Sequence, residues 1–478
     1  MNLTQRFWHP ADAKKSRNDT LIVIIVLTLA VLLGTRASTL WLGLLTASLG
    51  GLALLGRPIL GLLALIVANL LMPLEISTGT EVYLNLGALL VPALLLLWVL
   101  DMIRRQALRL VPSPTTRPLA LFLLAGLFSL LIGRATWDPS VPVRSSFLLV
   151  QLAQWAIFAF SAGAFWLTAN IAKRLAHLQW LVVTFLVLGG GLAVLRLLPG
   201  SGSLVNGVTT QAFIRAPFWI LLAGLAGGQL LFNRTLKPLR RAGLLLLLGA
   251  VVVYAFGLQQ EAASNWVGIV AVTGMLVWLR WPRWRAPIGL MLLALAALGF
   301  LFPAVYNFAG GDAEWFESGG SRLVLIGRVV ALTVQHNPIT GLGPAAYRPY
   351  GFTQPLVYAH VIWARPLISS HNNYVDIFAH TGLVGLFLFG WLAVEMGRLG
   401  LRLRARFTEG FAAGYVNGML AVGVGSLVIM LLADWILPFV YNIGFPGFQA
   451  SVLVWLFLGG LVALEHMGNQ TEREQGVS

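Results

Sequence analysis

Apolar runs long enough to cross a bilayer recur along nearly the whole chain, separated by short loops rich in arginine. Inside a bilayer no water satisfies backbone N–H and C=O groups, so a spanning segment must pair them within itself, as a helix does. Fourteen runs read as spans, over 20–35, 39–55, 58–74, 83–100, 117–133, 148–169, 178–198, 214–232, 242–258, 263–280, 286–307, 380–397, 411–433 and 447–465. Several are short for a core of about 30 Å, so some pair, break or tilt. The expected fold is all-α, a polytopic membrane helix bundle of about 12–14 transmembrane helices. Composition agrees, since 58% of residues are hydrophobic and 10% charged, against roughly a quarter charged in a soluble chain. The first run follows a basic tail without a small-residue cleavage site, so it reads as a membrane helix and not a signal peptide. The absence of cysteine excludes disulfides and thiolate metal sites.

A net charge of +15 would suit nucleic acid, but the basic residues lie in short loops and no separate basic domain exists. With the N-terminus in the cytoplasm, 23 of 32 basic residues fall inside, including all four lysines, as the positive-inside rule requires. The C-terminus is then also inside and the long loop 308–379 outside. The nine outside basic residues are all arginine: Arg36, Arg134, Arg144, Arg196, Arg215, Arg322, Arg328, Arg348 and Arg365. A planar fork that stays charged can hold a phosphate in two-point contact. The chain also favours arginine generally, 28 to 4 over lysine, but four in one loop is a cluster.

The loop has three parts. A flexible, acidic lead-in carries Asp312, Glu314 and Glu317. Ser321–Gln335 then reads as a short helix with Ser321 as its cap, too apolar to stand in solvent and so lying on the membrane or the bundle. Arg322 and Arg328 on it are six positions and about 120° apart, so they need not face one ligand. Arg322, in the first turn, stands near backbone N–H groups that favour an anion. The third part runs from Asn337 through the turn-rich Pro338–Pro344 to the aromatic residues Tyr347, Tyr350, Phe352, Tyr358, His360 and Trp363. Those rings suit either sugar stacking or an interfacial belt.

His371 stands at the mouth of the next span. A cap at Ser369 or Ser370 would put it in the first helical turn, where the helix dipole disfavours imidazolium. A neutral imidazole there can accept a proton from a hydroxyl. Asp376, five positions on and about 140° away, is a poor orienting partner on spacing alone. His380, at a span start, and His336, at a helix end, read as structural.

These residues resemble the superfamily of bacterial O-antigen ligases and O-antigen polymerases. The stretch His371-Asn372, then nine residues, then Gly382, two residues and Gly385 fits the family's loop signature, with Leu386 where a small polar residue is common. Upstream, Ser321-Arg322 through His336-Asn337-Pro338-Ile339-Thr340-Gly341-Leu342-Gly343 resembles its Arg-helix-His-Pro-Leu-x-Gly-x-Gly segment, with Asn337 inserted. Many relatives carry a Ser-x-Arg-Gly-like motif at the outer start of a middle span. The comparable place here, Gln259–Trp266, has no arginine, so one phosphate contact is missing or supplied elsewhere.

The resemblance implies an inverting, metal-independent glycosyltransferase of the bacterial inner membrane, with no cofactor. Its donor would be a glycan on undecaprenyl pyrophosphate at the periplasmic face. His371 would be the general base, and Arg322, Arg215 and Arg328, in that order, would bind the pyrophosphate. The acceptor would be lipid A–core (ligase), a second lipid-linked glycan (polymerase) or a protein hydroxyl (oligosaccharyltransferase). A transporter or flippase is the alternative of another class, but no internal repeat is visible and charges sit at span ends. The expected organisation is a bundle of about 11 spans over 1–307, a periplasmic catalytic loop with short helices over 308–379, C-terminal helices over 380–465 and a cytoplasmic tail over 466–478.

Overall fold

The computed structural model describes residues 56–79, 82–106, 110–259, 262–299, 307–308, 320–358 and 361–474. The expected spans 20–35 and 39–55, Arg36, Asp312, Glu314, Glu317 and His360 lie outside the described residues. By its internal contacts the chain divides into two units, 1–58 and 59–478, and the helix bundle is the second of them.

Helix α1 (Pro58–Leu71) leads into a hairpin of β1 (Glu75–Ser77) and β2 (Tyr83–Asn85), then α2 (Leu86–Arg104), α3 (Thr116–Ala135), α4 (Phe147–Ile171) and α5 (Leu175–Arg196). A short α6 (Gly202–Val208) precedes α7 (Ala216–Phe232), α8 (Pro238–Val253), α9 (Ala263–Arg280) and α10 (Arg285–Ala297). Next come α11 (Gly320–His336), the one-turn α12 (Tyr347–Gly351) and a hairpin of β3 (Leu356–Tyr358) and β4 (Val361–Trp363). The chain ends with α13 (Asn373–Arg406), α14 (Gly410–Ile429) and α15 (Gly444–Glu474). Among the described residues eight helices are long and apolar enough to cross a membrane, and α1, α7 and most of α9 are shorter apolar ones. This is the expected all-α polytopic bundle, with short helices in its long loop.

Span ends differ from expectation for local reasons. The span expected at 380–397 lies within Asn373–Arg406, a helix capped at Asn372 and broken at Gly382. Within the run 286–307 one helix covers Arg285–Ala297, and Gly299, at φ 73°, follows its end. The last helix runs to Glu474, beyond the expected 465. Ser321 lies inside α11, which starts at Gly320. The apolar side of α11 buries Val329 and Leu332 and packs on α12 and α13, so it rests on the bundle.

Two glycine pairs let α7 and α14 cross closely. A Cβ on Gly228 of α7 would stand 2.4 Å from the Gly414 carbonyl of α14, and one on Gly418 would stand 2.5 Å from the Gly224 carbonyl. Both pairs are spaced four apart, the small-residue pattern that lets membrane helices approach closely. Gly189, Gly190 and Gly191 lie in an unbroken α5, the first two against Phe218 and Leu247, which makes them packing positions.

The motif glycines bring the long loop onto the bundle. Helix α13 breaks at Gly382, with φ 67° and ψ −166°. The break frees backbone groups, and the Pro338–Leu342 segment takes them up. Leu383 N–H donates to the Pro338 carbonyl at 2.9 Å, Val384 N–H to Ile339 at 3.2 Å, and Leu342 N–H to Ala379 at 2.8 Å. This satisfies a kink that would otherwise cost buried hydrogen bonds. A Cβ on Gly382 would stand 2.1 Å from the Ile339 carbonyl, and one on Gly133 of α3 would stand 2.2 Å from that of Leu342. The two motifs, separate in sequence, are therefore one docked unit wedged between α3 and α13.

Candidate active site

His371 lies one residue before the cap of α13, half-buried, at φ 48°. The cap is Asn372, not Ser369 or Ser370: its Oδ1 accepts from the Tyr374 and Val375 N–H groups at 3.0 and 3.2 Å. His371 is thus outside the helix, in the left-handed region that non-glycine residues seldom occupy. Its neighbours on both sides are pinned. Ser370 Oγ accepts from Asn372 N–H at 3.1 Å and lies 2.7 Å from Asp376 Oδ1, which also accepts from Tyr347 Oη at 2.8 Å. Burial, then the neighbouring Asp376, hold the Tyr347 hydroxyl well above its ordinary pKa, so it remains a donor. Asp376 supports the backbone at His371 without reaching its ring, in keeping with the helical spacing.

The sequence reading missed the segment 430–443 between α14 and α15, which covers this histidine. Asn373 clamps it: Nδ2 donates to the Leu437 carbonyl at 2.7 Å, and Oδ1 accepts from Ile436 and Leu437 N–H at 2.9 and 3.3 Å. Asn372 Nδ2 donates to Leu431 at 3.0 Å. The segment carries Asp434, fully buried, whose Oδ2 accepts from Phe439 N–H at 2.8 Å. Its Oδ1 accepts from Asn442 Nδ2 at 2.6 Å, and the same nitrogen lies 3.3 Å from His371 Nδ1. Burial lowers the His371 pKa below the usual 6.5, with the Asp434 charge opposing and the Arg322 charge adding to that effect. Burial likewise raises the Asp434 carboxyl, against the pull of the Phe439 N–H, His371 and Asn442. The available sequence signal was a lone carboxylate in the apolar run Leu431–Pro438, a position where membrane proteins seldom place a charge without use.

Two of the three chosen arginines meet the same segment. Arg322, in the first turn of α11, donates from Nη1 to the Leu432 carbonyl at 3.3 Å. Arg215, just before α7, lies with Cζ 5.6 Å from the Trp435 ring centroid, and its buried Nε has no partner. Burial lowers its pKa and the Asp434 charge offsets part of that, but a guanidinium stays charged regardless. Arg328 is half-buried with Nε and Nη2 unpaired, and among the described residues no hydrogen bond or ring contact joins it to 430–443.

Other expected residues have structural roles. His380 is buried, its ring stacked 5.5 Å from Tyr347. His336 Nδ1 lies 2.9 Å from the Leu332 carbonyl. Tyr347 and Tyr350 are buried in packing, not in a belt. Arg134 reaches Gln151 at 3.4 Å, and Arg196 reaches Asn206 at 2.9 Å. Among the described residues no three His, Asp or Glu side chains converge as a metal site needs.

A multi-pass helical membrane protein with a histidine and two arginines gathered under one interhelical segment is the class that fold and site define. A family model described as O-antigen ligase matches residues 239–390, which include Arg322, Arg328, His371 and both motif glycines. The match supports the O-antigen ligase superfamily, and with it a ligase- or polymerase-type glycosyltransferase. Arg215, Asp434 and Asn442 lie outside the matched residues. No curated protein matches the chain.

Proposed function

We propose that this protein is an inverting, metal-independent glycosyltransferase that moves a glycan from undecaprenyl pyrophosphate to an acceptor hydroxyl. The observation that carries the proposal is the meeting of His371, Arg322 and Arg215, from three distant parts of the chain, at residues 430–443. His371 takes the acceptor proton as the acceptor oxygen attacks the anomeric carbon. The bond from that carbon to the pyrophosphate oxygen breaks on the opposite face, and the developing negative charge falls to Arg322 and Arg215. Arg328 is the third pyrophosphate residue in this scheme.

The lowered pKa of His371 supports base chemistry, since the ring is neutral near pH 7. Which nitrogen acts depends on the Asn442 amide, whose two settings differ by a flip. With Nδ2 toward His371 the lone pair is on Nδ1. With Oδ1 toward it, Nδ1–H is held and Nε2 carries the lone pair.

The reaction takes place on the periplasmic face of the bacterial inner membrane, with both termini cytoplasmic. The positive-inside pattern supports this orientation, because α13 runs from the His371 end to an end bearing Arg398, Arg402, Arg404 and Arg406. Lipid A–core is the first acceptor class to test, followed by a second lipid-linked glycan and a protein hydroxyl. The test incubates the detergent-purified full chain and His371→Ala with an undecaprenyl-pyrophosphate glycan, these three acceptors and a chelator. Chelator-resistant transfer that falls about 10²–10⁴-fold in His371→Ala supports the scheme. Donor binding by both proteins without transfer to any acceptor sinks it in favour of a flippase.

A further inference from the structure

Beside the site is a cavity of about 610 Å³ that the reaction scheme leaves unused, within the usual range of small-molecule pockets, roughly 300–1,000 Å³. Arg144, Phe147, Arg348, Phe352, Leu367 and Tyr441 line it, and among the described residues none that lines it is acidic. Two guanidinium groups and three aromatic rings in one cleft match a specific chemistry. Rings cover the apolar faces of sugars, and forked cations hold phosphate or carboxylate.

Its position is tied to the base through two pairs of sequence neighbours. Tyr441 precedes Asn442, whose amide lies 3.3 Å from His371 Nδ1. Arg348 follows Tyr347, whose hydroxyl holds Asp376 beneath His371 at 2.8 Å. Arg348 is itself fixed, Cζ 4.5 Å from the Tyr441 ring centroid and Nη1 donating to the Tyr441 carbonyl at 2.7 Å. Along the covering segment Arg322 and Arg215 meet residues 432–435, the cavity meets 441, and His371 lies against 442. The cavity is thus lined by the residue next to the one that touches the base, and a base must stand beside the incoming hydroxyl.

Resting on the glycosyltransferase proposal, we infer that this cavity receives the acceptor, and that the acceptor is a sugar bearing an anionic group close to its reactive hydroxyl. Arg348 and the rings orient the sugar, and Arg144 at the exposed rim meets the anion.

The test uses full-length protein in detergent and, as probe, a core oligosaccharide carrying phosphate and carboxylate groups. The same probe is also used after phosphatase treatment and after carboxyl reduction. Equilibrium binding is measured without donor, and acceptor and donor KM are measured by transfer. Arg144→Ala is expected to weaken oligosaccharide binding and raise acceptor KM about tenfold, with Arg144→Glu worse and donor KM within about twofold. Whichever treatment removes the recognised anion should lower wild-type affinity to that of Arg144→Ala and erase the difference between them, which distinguishes phosphate from carboxylate. Unchanged binding in Arg144→Glu, or an equal loss for the doubly treated probe, overturns the inference. Because binding is read without turnover, it can also be measured in His371→Ala. An active His371→Ala would defeat the base assignment while leaving the cavity result to stand alone.

Discussion

Ser370 Oγ stands 2.7 Å from Asp376 Oδ1, and this contact braces the backbone that holds His371 at φ 48°. A non-glycine residue in the left-handed region is strained by about 1–2 kcal/mol and persists only where its surroundings over-determine it. Here the surroundings are Ser370 on one side, the Asn372 cap on the other, and Tyr347 as the second donor to Asp376 Oδ1. Asp376→Asn keeps an oxygen for both donors and should retain activity within about tenfold. Asp376→Ala strands the Tyr347 hydroxyl donor in a dry site, costing roughly 1–3 kcal/mol, while Ser370 Oγ keeps only its bonds to the Asn372 backbone. It should lower kcat well below Asp376→Asn while donor KM holds. Equal kcat in the two variants would remove Asp376 from any role in setting His371.

Gly382 should tolerate no side chain. Its φ is 67°, and a Cβ there would come within 2.1 Å of the Ile339 carbonyl, so Gly382→Ala is doubly unfavourable. The expected loss is on the order of 2–4 kcal/mol, read as a lower melting temperature and lower yield in detergent. Gly390, in the same helix with open space around it, is the control. Gly390→Ala should be neutral or slightly stabilising, because alanine is the better helix former. Similar melting of the two variants would contradict the docked arrangement of Pro338–Leu342 on the kink.

The bundle and much of the site were legible in sequence because their signals are local. Apolar runs identified the helices, and α11, expected over 321–335, is found over 320–336. Position at a span mouth together with the family resemblance selected Arg215 and His371, and the resemblance with a place in the first turn of a loop helix selected Arg322. Other features depended on partners far away in the chain. Serine and asparagine cap helices about equally well, and Ser370 is instead engaged with Asp376, six residues on, while Asn372 caps. Helical spacing separated Asp376 from His371 but could not supply Tyr347, 29 residues upstream. Asn442 is 71 residues from His371 and stood in a turn between two spans, with nothing local to mark it. Gly382 was visible as a motif residue, but its role in breaking α13 was hidden inside a continuous apolar pattern.

The pH dependence follows from the site's charges. Burial depresses the His371 pKa below 6.5, so the acidic limb of kcat/KM should fall below the usual histidine range, with the rate rising as the ring loses its proton. Asp434 favours imidazolium and Arg322 opposes it. Asp434→Asn should therefore move the limb further down, and Arg322→Gln should move it up. Because the folded pKa is the depressed one, the same group's contribution to stability is present above about pH 6.5 and is lost as pH falls through the folded value. Movement of both variants in the same direction would show that the limb belongs to another group.

Lysine should fail at both arginines that meet the covering segment. Arg322 gives Nη1 to the Leu432 carbonyl, leaving the rest of its fork for a phosphate, and a lysine ammonium cannot hold both in fixed geometry. Arg215 lies against Trp435 with a buried, unpaired Nε, so a shorter point charge loses both the ring contact and the second donor. Arg322→Lys and Arg215→Lys should each reduce kcat/KM for the donor about 10–100-fold, since charge-assisted hydrogen bonds are worth roughly 1.5–3 kcal/mol. Melting temperatures close to wild type are needed to assign the loss to the site. Arg328→Lys should cost less, because no hydrogen bond or ring contact joins Arg328 to the segment among the described residues. Initial rates with the donor varied at fixed acceptor decide the order. A loss in Arg328→Lys equal to that in Arg322→Lys would move the pyrophosphate along α11, away from residues 432–435.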